Sequence, residues 1–552
     1  MMEKRYRTLF GSYAHIGKNP LLMAAFSFLL SNVTSLLVLS SYPFLRGNGD
    51  TSTYIILSRE ILNNGMLLPA TNAIHYPGSV WVYPPVIPYL GAVLLYASGA
   101  NGWATYRLFA IMGVELFSLT AIPSYYLVRN LEGEKAASIF ALLYPFFLPS
   151  LYILSWGGYP QLAGFLLISI AFYFLSKAAR QPDKWMGNAS KAGISLFLLA
   201  LTHDLSFIII LASLVFLLVI RVLLLMIGRN PGTNQIKTSA LSLLFATLGG
   251  VIWYAPRAWW VIDAAFPASS AAYNTYAVGV PASPSLMAAI YLDLNGLEQP
   301  LGLLSQLLPV LAMYFALLIC IFVTGAKFLH KDRAFDNIFS LLLVSVVMTI
   351  VELNDTVLFS RLAYFVFFAS FLVLPSLLLS LFRHLQKDTP NADKKHLRSL
   401  RKLSMTALIT VIILNSGAGI YGNYVSHSYF AATSSNEANV TSIDSVLGYM
   451  HTNITHIKSV AAPDPVSFCV GAYLDVPVLS YEPSNYLTQP VEWEENYVAY
   501  VLIYHSSSNL STTLSYVKEY KVSYVIVPSD VGNVTTSFRL VWSTPAFDLY
   551  AT

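Results

Sequence analysis

The chain has 552 residues, of which 56% are hydrophobic and only 11% charged, with a mean hydropathy of +0.59 and a net charge of +4. Soluble globular chains carry roughly 25% charged residues, so this composition excludes a cytosolic enzyme, a disordered scaffold and a coiled coil. The small net charge gives no footing for nucleic acid, and two distant cysteines, Cys320 and Cys469, cannot build a disulfide framework.

A hydrocarbon core takes about 20 mostly apolar residues per helix. Windows of that size predict eleven spans, at 20–42, 104–128, 136–154, 161–177, 190–201, 205–227, 238–256, 301–326, 337–351, 357–382 and 404–421, with 190–201 short unless it begins in the preceding loop. The apolar stretch 85–98, after Tyr83-Pro84-Pro85, is too short to span and reads as re-entrant or lying flat. With the N-terminus cytoplasmic and 85–98 not spanning, 23 of the 32 Lys and Arg fall on the inner side. The positive-inside rule therefore favours this eleven-span arrangement with an exterior C-terminus.

Residues 1–424 thus form the expected membrane domain, with a long first external loop at 43–103. After it the composition turns polar. Residues 425–552 hold 4 basic and 11 acidic residues and four Asn-x-Ser/Thr sequons, at Asn439, Asn453, Asn509 and Asn533. Strand-like runs at Val476–Ser480, Tyr500–Tyr504, Val522–Val527 and Leu540–Trp542, with a helical pattern over Ser511–Tyr520, predict a small exterior α/β domain. No internal repeat is evident, which weighs against a transporter built from inverted halves.

The first external loop runs Gly47-Asn48-Gly49-Asp50-Thr51, then an amphipathic stretch to Asn64-Gly65, His75-Tyr76-Pro77 and Tyr83-Pro84-Pro85, and Tyr106-Arg107 opens the second span. This order resembles the GT-C superfamily of membrane glycosyltransferases, which includes protein O-mannosyltransferases, aminoarabinose transferases and, more distantly, oligosaccharyltransferases. The resemblance implies a polytopic helical membrane enzyme that takes a polyprenyl-phosphate-linked sugar and passes it, with inversion, to a glycan, lipid or protein acceptor. It also implies an acidic residue just after the first span, here Asp50. Two departures stand out. Asp50 is followed by Thr51 where many relatives have a second acid, and the Trp-Trp-Asp-Tyr-Gly motif of oligosaccharyltransferases is absent.

Asp50 is the candidate base or metal ligand, because glycosyl transfer needs a proton acceptor or a cation at the leaving phosphate; the plain alternative is a solvated turn residue. Arg361 and Arg257 sit at external span ends and suit an anionic phosphate. At a helix C-terminus Arg257 is also explained by the macrodipole, whereas Arg361 opposes it. Thr202-His203-Asp204, with Asp355, offers ligands for a divalent cation (Mg or Mn) or for the acceptor; the alternative is a His-Asp helix cap. Trp156-Gly157-Gly158-Tyr159 and His75-Tyr76 read as substrate lining, the glycines permitting close backbone approach or simply a tight turn. Glu115, in mid-span, should meet a polar partner. A flippase of lipid-linked glycans, a surface anchor and a GT-C protein without activity remain as competing readings.

Overall fold

The computed structural model describes residues 19–40, 49–69, 71–72, 79–81, 83–155, 157–227, 233–257, 335–351, 356–387, 437–463, 466–481, 490–506, 510–531 and 538–552. The chain is mostly helical. Six helices are long and apolar enough to cross a membrane: Pro20–Leu37, Trp103–Glu132, Tyr159–Arg180, Asp204–Met226, Thr233–Arg257 and Arg361–Leu379. Several expose rows of large apolar side chains, as Leu21, Leu29 and Leu37 do on the first, a surface suited to lipid.

The membrane part comprises α1 (Pro20–Ser40), α2 (Gly49–Asn63), α3 (Val86–Ser98), α4 (Trp103–Glu132), α5 (Glu134–Leu143), α6 (Leu148–Ser155), α7 (Tyr159–Arg180), α8 (Trp185–Ala200), α9 (Asp204–Met226), α10 (Thr233–Tyr254), α11 (Asp336–Val351) and α12 (Thr356–Lys387). The eleven expected spans are not reached among the described residues. The stretch read as one span at 136–154 is broken into α5, a 3-10 turn at Tyr144–Phe146 and α6, because Pro145 and Pro149 remove N–H donors. The short span at 190–201 begins upstream, as α8, and has 16 residues; 301–326 and 404–421 lie outside the described residues. Helix α3 has 13 residues, or about 20 Å of rise, too little to span. A Cβ on its Gly91 would sit 2.2 Å from Ser58 Oγ and 2.5 Å from Phe109 Cζ, so glycine is what lets α3 lie against α2 and α4.

Apolar burial gives little drive to helix association in lipid, so packing there rests on close fit and polar contacts. Ser124 Oγ meets Ser169 Oγ at 2.8 Å between α4 and α7, and Ser340 Oγ donates to Ser213 O at 2.6 Å between α11 and α9. Phe165 on α7 stacks on Phe368 of α12, with centroids 4.4 Å apart and planes at 10°, and packs edge-on against Phe365. Gln161 and Arg361 each lie four residues before one of these rings, so the aromatic contact brings them together one turn along. A buried ion pair, Arg221 Nη2 to Asp336 Oδ2 at 2.8 Å, ties α9 to α11 at the other end. Glu115 is half-buried on α4, and among the described residues no side-chain hydrogen bond or ion pair reaches it.

The C-terminal segment contains α13 (Glu437–Asn453), β3 (Val460–Pro463), α14 (Val466–Leu474), β4 (Val478–Tyr481), α15 (Pro490–Tyr504), α16 (Leu510–Glu519), β5 (Tyr524–Pro528), β6 (Arg539–Ser543) and β7 (Phe547–Ala551); a two-residue pair, β1 (Thr71–Asn72) and β2 (Ser79–Val80), lies in the first loop. The five-stranded sheet has order β4-β3-β5-β7-β6, with β4, β3 and β5 parallel and β7 and β6 antiparallel. Tyr500–Tyr504 is not a strand but the end of α15. Val498, Ala499, Leu502 and Ile503 are its buried apolar residues, a helical spacing that the short apolar run concealed. The sheet segment is seated on the first loop. Arg59 Nη1 of α2 donates to Ala472 O at 2.5 Å, and Tyr473 packs on Trp103 at 4.9 Å between centroids.

Candidate functional site

Asp50 occupies the first turn of α2. Three contacts hold that turn. Ser52 Oγ bonds Tyr106 of α4 at 2.7 Å, and Thr51 Oγ1 bonds the Tyr159 hydroxyl of α7 at 3.1 Å. Gly157, with φ +83, presses against Thr51: a Cβ there would lie 2.3 Å from Thr51 Oγ1 and 3.0 Å from its backbone N. The close approach that this glycine permits is therefore to the helix bearing Asp50.

Opposite stands Arg361, in the second turn of α12. Its Nη2 lies 3.9 Å from Asp50 Oδ2, and its backbone carbonyl accepts from Gln161 Nε2 at 3.2 Å. The contrast with Arg221–Asp336 is informative. That pair is closed at 2.8 Å with side chains 6% and 9% exposed, whereas Arg361 and Asp50 stand wider and keep 42% and 41% exposure. A guanidinium and a carboxylate thus face each other across a gap that a ligand can reach.

Tyr54, one turn after Asp50, has its phenol pushed well above the ordinary value, by burial first and by the Asp50 carboxylate second. It stays protonated and able to donate. His203 has its imidazole pushed down to about 3, by burial first and then by the charge of Arg361. It is neutral, and its Nδ1 accepts from Ser206 N at 3.3 Å as the N-cap of α9. The capping reading thus applies to His203. Asp204 Oδ1 accepts from the Tyr254 hydroxyl of α10.

Tyr159 is fully buried, so it supports Thr51 and does not line a substrate cavity. Arg257 is committed elsewhere: Nε donates to Trp81 O at 2.9 Å, Nη1 to Trp253 O at 2.8 Å, and the guanidinium lies 3.6 Å over the Trp253 ring. No contact joins it to Asp50 among the described residues. His75, Tyr76, Trp156 and Asp355 lie outside the described residues. Sequence reading missed Thr51, Tyr54, Tyr106 and Gln161; a glutamine opening an apolar span was the one visible hint.

Among the described residues no three His, Cys, Asp or Glu side chains converge. Of the candidate ligands, His203 Nδ1 and Asp204 Oδ1 each hold a hydrogen bond, and Asp355 lies outside the described residues.

The helical bundle, the first-loop helix carrying Asp50 in its first turn and the C-terminal sheet seated on that loop form a fold similar to that of several solved membrane-protein structures. Three solved structures carry this likeness. ArnT from Cupriavidus metallidurans bound to undecaprenyl phosphate superposes with a TM-score of 0.56 at 12% identity, covering 96% of this chain and 97% of that one. The archaeal oligosaccharyltransferase AglB from Archaeoglobus fulgidus, in complex with an inhibitory peptide and a dolichol-phosphate, gives 0.51 at 16% identity, over 91% and 69%. The same organism's oligosaccharyltransferase in complex with Zn and sulfate gives 0.52 at 15%, over 95% and 73%. At these identities the likeness establishes the fold. No protein-family model and no curated protein sequence matches the chain.

Proposed function

We propose that this protein is a membrane glycosyltransferase that moves a sugar from a polyprenyl-phosphate-linked donor to an acceptor at the outer face of the membrane. The observation that carries the reading is the half-exposed Asp50–Arg361 pair at 3.9 Å, held at the meeting point of α2, α7 and α12. The fold supports it, since ArnT and AglB structures of that fold hold undecaprenyl phosphate and dolichol-phosphate.

In this reading Arg361 binds the donor phosphate and stabilises the charge that grows on it as it leaves. Asp50 accepts the acceptor's proton as the acceptor attacks the anomeric carbon. The carbon–oxygen bond to phosphate breaks, polyprenyl phosphate departs with the bonding pair, and a single displacement inverts the centre. Protonated Tyr54, one turn from Asp50, is placed to donate to a sugar or phosphate oxygen. Residues 425–552 are the exterior domain, resting on α2 through Arg59 and Ala472 and on α4 through Trp103 and Tyr473, and serving to cover the site or to help bind the acceptor.

A transfer assay in membranes with labelled polyprenyl-phosphate sugars tests this. Asp50→Asn should lower turnover by at least about 100-fold, in the range lost with a general base, and Arg361→Ala should raise the donor KM as well as lower kcat. Full activity in Asp50→Asn would remove the base assignment. Labelling of a cysteine at Ser515, an exposed position of α16, in intact cells tests the exterior placement, and labelling only after permeabilisation would reverse it.

A further inference from the structure

At the end of the bundle remote from Asp50, the last turns of α4 and α7 and the start of α5 enclose an open cavity of about 430 Å³. Helical spacing builds it. Tyr126, Arg129 and Asn130 lie on one face of α4 at i, i+3 and i+4, and Tyr173, Lys177 and Arg180 on the facing side of α7 at i, i+4 and i+7. Three cations thus share the cavity with one carboxylate, Glu134. The positive-inside rule and the macrodipole explain cations at these helix ends. Neither explains why three converge on one cavity, where mutual repulsion opposes them.

The side chains are arranged as a site. Asn130 Nδ2 is fixed on Ser176 Oγ at 2.7 Å, and Arg180 spends one nitrogen on Leu131 O at 2.9 Å, leaving the rest of its fork. Lys177 Nζ lies 5.2 Å over the Tyr173 ring, which in turn packs on Tyr126 at 6.2 Å. The Arg129 guanidinium has no hydrogen bond or ion pair among the described residues, its backbone carbonyl accepting from Gly133 N. We propose that this cavity binds a phosphate group, with Arg129 and Lys177 as its main contacts. Basic pockets between membrane helices take anionic lipid head groups in this way, and the proposal is independent of the transferase reading.

The full-length protein in neutral detergent is incubated with phosphatidylglycerol, phosphatidylcholine or glycerol 1-phosphate, and bound molecules are counted by native mass spectrometry alongside thermal midpoints. Phosphatidylglycerol should be retained over phosphatidylcholine and raise the midpoint. Arg129→Gln/Lys177→Gln should lose that preference by roughly 30-fold, as expected for two membrane-surface cations, while Lys184→Gln, an exposed charge outside the cavity, should keep it. Binding of phosphatidylglycerol alone assigns the site to a lipid, and equal binding of glycerol 1-phosphate assigns it to a soluble phosphate ester. The proposal is overturned if neither ligand binds wild type above phosphatidylcholine, if the double variant retains the preference, or if Lys184→Gln loses as much. Wild-type binding decides the matter should the double variant fail to fold.

Discussion

Gly157→Ala isolates the contact that sets Asp50 in place. Two costs add. The backbone at φ +83 is one that an L side chain rarely adopts, a penalty of about 1–2 kcal/mol. The new methyl would lie 2.3 Å from Thr51 Oγ1 and 3.0 Å from Thr51 N; Thr51 is buried, its hydroxyl already bonded to Tyr159, so relief requires α2 to shift, at about 1–3 kcal/mol for overpacking. The expected loss is therefore about 2–5 kcal/mol. Gly99→Ala is the matched control: φ is +60, but nothing lies within 4 Å of its Cβ, so only the first cost applies. Denaturant titration of the purified protein in detergent compares the two. In the transfer assay Gly157→Ala should also lose up to about 100-fold, since a displacement near 1 Å at a reacting group costs that much, whereas Gly99→Ala should stay near wild type. Equal destabilisation by the two substitutions would refute the argument that Gly157 is required by its closeness to Thr51.

Other outcomes follow from the same contacts. Asp336→Asn or Arg221→Ala, each leaving a buried charge without its partner, should destabilise by about 3–5 kcal/mol, and the apolar pair Arg221→Met/Asp336→Leu by clearly less; thermal unfolding of the three variants decides it. Arg59→Ala removes a charged donor from Ala472 O, so the sheet segment should become more susceptible to limited proteolysis by an amount matching about 1.5–3 kcal/mol. For His203, the unfolded imidazole takes a proton below about pH 6.5, while the folded one resists until about 3. Its contribution is therefore whole above pH 6.5 and is lost as the pH falls toward 3. Between pH 7 and 4.5 wild type should lose about 2 kcal/mol more than His203→Gln, and equal acid sensitivity would contradict the burial argument.

What the amino-acid sequence decides here is local. Charge fraction and apolar run length mark a membrane chain, and spacing within a run marks α4, α7, α9 and α12 to within a few residues. The polar C-terminal segment announces mixed helix and strand, yet its periodicity over Tyr500–Tyr504 was too short to separate a strand from the end of α15. The order of motifs in the first loop resembled GT-C enzymes, and Asp50 and Arg361 each stood out singly: one for its place after the first span, the other as a cation against its own helix dipole. Nothing local says that these two side chains come within 3.9 Å of each other. That meeting depends on Phe165 stacking on Phe368 and on Tyr159 and Gly157 locking Thr51, contacts between segments far apart in the chain. The same holds for the partners of the other candidates: Tyr159 is buried against Thr51, Arg257 bonds Trp81 and Trp253, and His203 caps α9 within the field of Arg361. Residue type and spacing fix what a side chain is able to do, but only packing decides which partner or ligand it can reach.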